Sequence, residues 1–403
     1  MHNCKQLLRL GFALVWLTVT VNAQTPQPLA VIPFELNTNH IFLKVTLNNA
    51  PLWFIIDTGA AMSVMDMERA KALGLGLQGT VPIGGAGGEN ATTGAFVQGA
   101  TLKVAGVGGF ATSIQVALPL TKLAQSEARA VDGILGYEFF SRYAVQLDYA
   151  ARKMTVYEAK SFAYTGSGEV LPLTFKMNHP HTAIKIEAEN GTPIECDALI
   201  DTGARSGIIL ARPFVEQNQL IKLTPKTYQS SAVGAGLNGI SKGILGRLKT
   251  VRLGNVVIDY PVTTFSQDEK GVFASTEVLQ GNIGGEILRR FRVTFDYARK
   301  QMILEATAET KAPYEFDMSG LFLRAEGTEF KTIKVLRVQQ NSPASETGII
   351  EDDEIIAING KPVAQFTLEV LRQMFRKDQV KYALEIKREE KVMTLKMTTR
   401  RLI

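Results

Sequence analysis

Two approximate copies of one pattern run through the chain, and such a repeat constrains the fold more than composition does. Asp57-Thr58-Gly59 ends the apolar run "WFII", and Asp201-Thr202-Gly203 ends "DALI", 144 residues later. "TLKVAGV" from Thr101 resembles "TVRLGNV" from Thr250, an offset of 149. "ILGYEFFSRYAVQLDY" from Ile134 resembles "NIGGEILRRFRVTFDY" from Asn282, pairing Gly136 with Gly284, Glu138 with Glu286 and Asp148 with Asp296 at an offset of 148. Both copies close on a basic turn, "ARKMTVYE" and "RKQMILE". The order and spacing of these matches predict two homologous lobes, residues 29–160 and 166–308.

Each lobe reads as β. "HIFLKVTL" and "HTAIKIEAE" alternate apolar and polar residues with period two, and glycines punctuate the runs. One helix per lobe is expected, at "MERAKALGL" and "RPFVEQNQL". With 45% apolar residues, 21% charged residues and 35 glycines, 403 residues suit two or three globular domains rich in strands and turns. After the polar linker "AETKAP" a third unit, residues 314–403, begins near Tyr314.

A single Asp-Thr-Gly is an ordinary turn. Two, at equivalent strand ends of two equivalent lobes, are different. If the lobes pack about a pseudo-two-fold axis, Asp57 and Asp201 meet on it. Two carboxyl groups at about 3 Å share one proton, so one is a general base and the other a general acid. A water between them can then attack a peptide carbonyl. Gly59 and Gly203 allow close backbone approach and donation to a carboxylate. The Thr58 and Thr202 hydroxyls can each bond the opposite lobe and hold both loops rigid.

These residues resemble the pepsin-type and retroviral-type aspartic proteases. Ile56-Asp57-Thr58-Gly59-Ala60 and Ile200-Asp201-Thr202-Gly203-Ala204 carry the likeness, with "DGILG" (Asp132–Gly136) and "GNIGG" (Gly281–Gly285) as the supporting segments. The resemblance spans about 270 residues. It implies a mostly β fold of two β-barrel-like lobes, with Asp57 and Asp201 as the dyad and Thr58 and Thr202 as its supports. It also implies flaps: "VPIGGAGGENATTG", with Ile83, Gly84 and Gly85, and "SSAVGAGLNGISKG", with Gly234, Ala235 and Gly236. Alanine after each Asp-Thr-Gly and a flap in each lobe resemble the retroviral branch more closely. The first hairpin lacks the tyrosine typical of a pepsin flap. A plain surface loop is the alternative for either hairpin.

The last unit resembles a small α+β PDZ domain through "SPASETGI" and "DEIIAINGKPV". That implies a peptide added to a sheet edge, its carboxylate held by the main-chain amides of Gly320, Leu321 and Phe322. The loop reads Gly-Leu-Phe-Leu where the family pattern is Gly-Leu-Gly-Phe. The ligand is therefore a terminal or an internal peptide, and a docking domain with an empty groove is the alternative.

At the N-terminus, Lys5 and Arg9 precede "LGFALVWLTVTV", and "VNA" offers small residues for cleavage after Ala23. This is a signal-peptide pattern over residues 1–23 and predicts export, to a periplasm or beyond the cell. A membrane anchor or a buried strand is the other reading; the run falls short of a ~20-residue span. Losing Lys5 and Arg9 lowers the formal charge from +5 to +3. The remaining basic residues are dispersed, which argues against a nucleic-acid partner. Cys196 is the one cysteine left after processing, so it belongs to no disulfide framework within the chain. His179-Pro180-His181 reads as a polar turn without a third metal ligand, and no cofactor is called for. Gly234–Gly239 fits G-x-G-x-x-G, yet no helix start follows it. Gly239–Gly243 fits a serine-hydrolase elbow, yet no histidine follows His181.

The expected function is an exported aspartic endopeptidase acting on peptides or unfolded protein. The alternative is a catalytically silent binding or scaffold protein that uses the same groove and the PDZ unit.

Overall fold

The computed structural model describes residues 27–88 and 91–403. The expected leader, residues 1–23, lies outside them, as do Glu89 and Asn90 of the first glycine-rich hairpin. The described residues are mostly β and form four sheets. In the first lobe an eight-stranded sheet curls over because strand His40–Leu47 pairs both with Ala50–Ile56 and with Thr92–Val104. The second lobe carries a ten-stranded sheet of related order.

The strands that lead to the two aspartates are central in both lobes. Ala50–Ile56 lies between antiparallel His40–Leu47 and parallel Gly133–Leu135. Pro193–Ile200 lies between antiparallel His179–Glu187 and parallel Gly281–Ile283. Neighbours on both sides explain the unbroken apolar ends "FII" and "ALI", all of them buried. Each supporting segment leaves its strand at a glycine. A Cβ on Gly136 would sit 2.6 Å from the Ala60 carbonyl oxygen, and one on Gly284 2.8 Å from that of Ala204. Backbone cannot yield there as a flexible side chain could, so these positions admit no side chain.

A six-stranded sheet is shared by the lobes. Its middle pair is Tyr143–Asp148 against Phe291–Asp296, antiparallel, with Gln146 opposite Thr294. Those two residues differ by 148, the offset of the sequence repeat. Each is the other's counterpart, so the pseudo-two-fold axis passes between them. The Gln146 Nε2 donates to the Thr294 hydroxyl across it at 3.2 Å.

Helices form where expected, at Met67–Ala72 and Arg212–Gln217. Asp66 caps the first by accepting from the Arg69 amide at 2.9 Å. Each lobe holds more helix than one segment, however. Thr121–Glu127, Tyr137–Phe140 and Gly285–Leu288 are also helical. The first of these lacks a side-chain N-cap, so no local signal announces it. His179-Pro180-His181 is not a turn: it opens strand His179–Glu187, and His181 is buried with Nδ1 3.1 Å from Asp197.

The C-terminal unit orders its strands Leu321–Glu326, Thr332–Val338, Glu354–Ile358, Lys381–Arg388 and Lys391–Thr398, around a separate core that includes Val335, Ile355, Leu371 and Leu384. The linker is pinned to the second lobe. Fully buried Arg290 donates to the carbonyls of Ala312 and Pro313, and its guanidinium lies 3.6 Å from the Tyr314 ring centroid. Gln339 donates to Ser230 Oγ at 2.6 Å and to the Ala232 carbonyl at 2.8 Å. From helix Leu368–Met374, Arg372 donates to the Ser126 carbonyl at 2.9 Å; just beyond that helix, Arg376 reaches Glu286 at 3.4 Å.

Two buried carboxylates anchor this junction. Burial alone raises the Glu127 carboxyl, but His40, Arg205 and Arg372 outweigh it and hold it at about 2. Burial likewise opposes ionisation of Glu286, and Arg376, Arg289 and Asn39 bring it to about 2. A depressed folded value means stability that is present above the ordinary value of 4.5 and lost as pH falls toward 2. Thermal unfolding of wild type should therefore show a midpoint that drops as pH falls from 4.5 toward 2. Glu127→Gln should lower the midpoint at neutral pH and flatten that dependence. An equal acid slope in both proteins would contradict this assignment.

Candidate active site

Each aspartate sits one residue past the end of its strand, fixed by the supporting segment beside it. The Asp57 amide donates to the Leu135 carbonyl at 3.0 Å, and the Asp201 amide to the Ile283 carbonyl at 2.9 Å. Within each turn the glycine amide donates to the aspartate, Gly59 to Asp57 Oδ1 at 2.7 Å and Gly203 to Asp201 Oδ1 at 2.9 Å. Between the turns the threonines interlock. The Thr58 hydroxyl donates to the Ile200 carbonyl at 2.7 Å and accepts from the Thr202 amide at 3.0 Å. The Thr202 hydroxyl donates to the Ile56 carbonyl and accepts from the Thr58 amide, both at 3.0 Å. All four groups lie in the buried seam, and each threonine uses donor and acceptor together.

The turns are so close that each glycine's missing side chain makes room for the opposite carboxylate. A Cβ on Gly59 would lie 2.6 Å from Asp201 Cγ, and one on Gly203 would overlap Asp57 Cγ. The Asp57 and Asp201 carboxyl groups are within hydrogen-bonding reach of each other. Burial, the neighbouring Asp201 charge and that mutual hydrogen bond push the Asp57 carboxyl well above the usual carboxylate range. Both side chains keep part of their surface open to a cavity of about 840 Å³.

Two hairpins roof this cavity. Ile83, Gly84 and Gly85 line it from the first lobe, and Gly234 and Gly236, which flank Ala235, from the second. The tips hold one another. The Asn238 amide donates to the Ala86 carbonyl at 2.8 Å, the Gly88 amide to the Ile240 carbonyl at 3.3 Å, and the Thr92 hydroxyl to the Leu237 carbonyl at 2.5 Å. The arrangement is a closed roof over the dyad.

Sequence reasoning missed several residues that the fold brings here. Asn39 and Asn178 occupy equivalent hairpin turns at φ 75° and 68°. Asn39 donates to the Arg205 carbonyl at 2.8 Å and Asn178 to the Ala61 carbonyl at 3.3 Å, two tethers crossing between lobes in mirrored fashion. The signal was present as a repeated Asn-His, Asn39-His40 and Asn178-His179. His40 lies 2.8 Å from the Gly203 carbonyl through Nε2 and 3.1 Å from Glu127 through Nδ1, so both acceptors are met when each ring nitrogen carries a proton. Arg205 donates to Ser126 Oγ at 2.6 Å and pairs with Glu127 at 3.4 Å. Asn282, in the second supporting segment, donates from Nδ2 to Asp201 Oδ2 at 2.7 Å.

The PDZ groove differs from what the resemblance implies. Leu321 and Phe322 line the cavity over the two aspartates, together with Arg372 and Gln373 of helix Leu368–Met374. Two of the three amides expected to hold a ligand carboxylate are already bonded: Gly320 to Asp317 Oδ1 at 2.6 Å and Leu321 to Ser319 Oγ at 3.0 Å. Half-buried Asp317 stands where a ligand carboxylate would, its own carboxyl pushed up to about 6 by desolvation. Among the described residues no cluster of His, Cys, Asp and Glu could hold a metal ion, and no helix is long and apolar enough to cross a membrane.

Two family models match parts of this chain. Residues 43–139 match the family model for aspartyl proteases, and residues 320–387 match that for PDZ domains. Among solved structures, the aspartic proteinase from Irpex lacteus is similar over 70% of this chain and 98% of its own, with 13% identity and a TM-score of 0.42. No curated protein matches the chain. The chain thus joins an aspartyl-protease-like fold to a C-terminal PDZ domain.

Removing one threonine hydroxyl strands two buried backbone partners. Thr58→Val and Thr202→Val should each cost on the order of 2–4 kcal/mol, measured by urea unfolding. Serine at either position should recover most of the loss. Valine variants as stable as wild type would show that the interlock carries little.

Proposed function

We propose that this protein is an exported aspartic endopeptidase. The observation that carries this reading is the pair of interlocked turns that brings two carboxyl groups into mutual reach at the floor of a roofed cavity. One carboxyl of the pair retains a proton and the other is ionised. The ionised group takes a proton from a water as that water attacks the peptide carbonyl carbon. The protonated group gives its proton to the carbonyl oxygen. The tetrahedral diol then collapses, the C–N bond breaks, and a proton passes to the leaving nitrogen. This route asks for no metal and no covalent intermediate.

The cavity's size and its apolar lining with a few convergent polar groups suit an extended peptide. The PDZ groove opens into the same space, which supports a role in holding substrate beside the dyad. With Gly320 and Leu321 amides already bonded, an internal peptide stretch suits that groove better than a free terminal carboxylate. Export rests on the leader pattern, with Lys5 and Arg9 before the apolar run and cleavage after Ala23.

Full-length protein incubated with an unfolded protein substrate, from acid to neutral pH, tests the reading. Asp57→Asn and Asp201→Asn should each lower turnover by at least about 10³-fold while leaving the far-UV circular dichroism unchanged. Full turnover by either variant would end the proposal. Peptide binding without cleavage by wild type at every pH would favour the scaffold alternative.

A further inference from the structure

The lobes repeat one another, yet the two aspartates do not have equivalent surroundings. Alanine follows each Asp-Thr-Gly, at Ala60 and Ala204, so neither aspartate gains a hydroxyl donor from that position. The difference lies one strand away. In the second lobe the strand beside Asp201 places Asn282 opposite Leu199, and its Nδ2 donates to Asp201 Oδ2 at 2.7 Å. In the first lobe the same register position, opposite Ile55, is Ile134. Asp201 thus accepts from Gly203 on one oxygen and from Asn282 on the other. The Asp57 carboxyl accepts from the Gly59 amide on Oδ1, and at the position equivalent to Asn282 stands the aliphatic side chain of Ile134.

A carboxylate is acceptor-only, whereas a carboxylic acid must place one proton. A donor fixed on the second oxygen of Asp201 favours the ionised form of that residue; among the described residues Asp57 has no such side-chain donor. The Asn282 amide also accepts a cost to face this way. Its Oδ1 is buried without a partner among the described residues, so the orientation is not explained by satisfaction of the amide itself. Turned round, that oxygen would oppose an ionised Asp201.

We propose that Asn282 divides the labour of the pair, holding Asp201 as the ionised base and leaving Asp57 to carry the shared proton. Asn282 is a positioning residue: it acts on the reaction through Asp201. The titratable groups whose charge also acts at the pair are His179, toward Asp201, and Tyr297, toward both aspartates; Asn282 is a neutral amide that adds direction rather than charge. The direction of the Asp57 shift agrees with this assignment.

The proposal rests on the peptidase reading, and its test has one arm that needs no turnover. Wild type and Asn282→Leu are made as full chains with ¹³C-labelled aspartate carboxyls, assigned with Asp57→Asn and Asp201→Asn. In wild type near neutral pH the protonated carboxyl should be that of Asp57; in Asn282→Leu the proton should be divided between the two. A wild-type proton on Asp201, or equally on both, overturns the proposal even if the leucine variant does not fold. Where cleavage is seen, the acid limb of the pH profile of kcat/KM should move up by about one pH unit in Asn282→Leu. The exchange variant Ile134→Asn/Asn282→Ile should bring it back, because the axis makes the two positions equivalent. An acid limb unmoved in folded Asn282→Leu also overturns the assignment. Absence of wild-type cleavage, with the proton found on Asp57, would count against the peptidase reading alone.

Discussion

Four hydrogen bonds between Thr58 and Thr202 and the strand ends behind them hold the two lobes in register. Everything at the site follows from that seam. It fixes the spacing of two acidic turns that would otherwise repel, and it does so with neutral groups buried from water. The shared sheet repeats the symmetry, with Gln146 facing its own counterpart Thr294. The seam and the shared sheet define the axis on which Asp57 and Asp201 must meet. The glycines then remove the last steric barrier, since each opposite carboxylate occupies the space of an absent Cβ.

The PDZ domain is built into this arrangement. Its linker is fastened by Arg290, its flank touches the base of the second flap through Gln339, and its helix delivers Arg372 to the Glu127 cluster. That cluster also contains His40, whose other ring nitrogen faces the Gly203 carbonyl inside the second Asp-Thr-Gly turn. A continuous polar chain therefore runs from the PDZ helix to the second Asp-Thr-Gly. Docking of the domain and placement of that turn share the same buried charges, and breaking one end leaves the other with unpaired groups at appreciable cost.

Much of the central site was legible because duplication writes itself into sequence. The offset of 148 recurs as the pairing of Gln146 with Thr294, and the apolar runs before each aspartate mark strands covered on both sides. What was hidden depends on contacts distant in sequence. Asn39 and Asn178 look like ordinary turn residues, and only folding shows that both reach the opposite lobe. Helix Thr121–Glu127 has no capping side chain, and Glu127 gains its meaning from residues up to 245 positions away. Two signals were readable in principle. Asp317 stands three residues before Gly320, the spacing of a carboxylate that folds back on its own loop amides. Asn282 is a polar residue where "DGILG" carries isoleucine, and that departure marks where the lobes cease to be equivalent.

The most direct test of a shared-proton pair is a proton count. Potentiometric difference titration of the folded wild type against Asp57→Asn/Asp201→Asn isolates the protons bound by the two carboxyls. The expected result is one proton released in the ordinary carboxylate range or below and one retained well above it. Two protons released together at ordinary carboxylate pH would mean that the aspartates do not sense each other, and the site described here would not exist in solution.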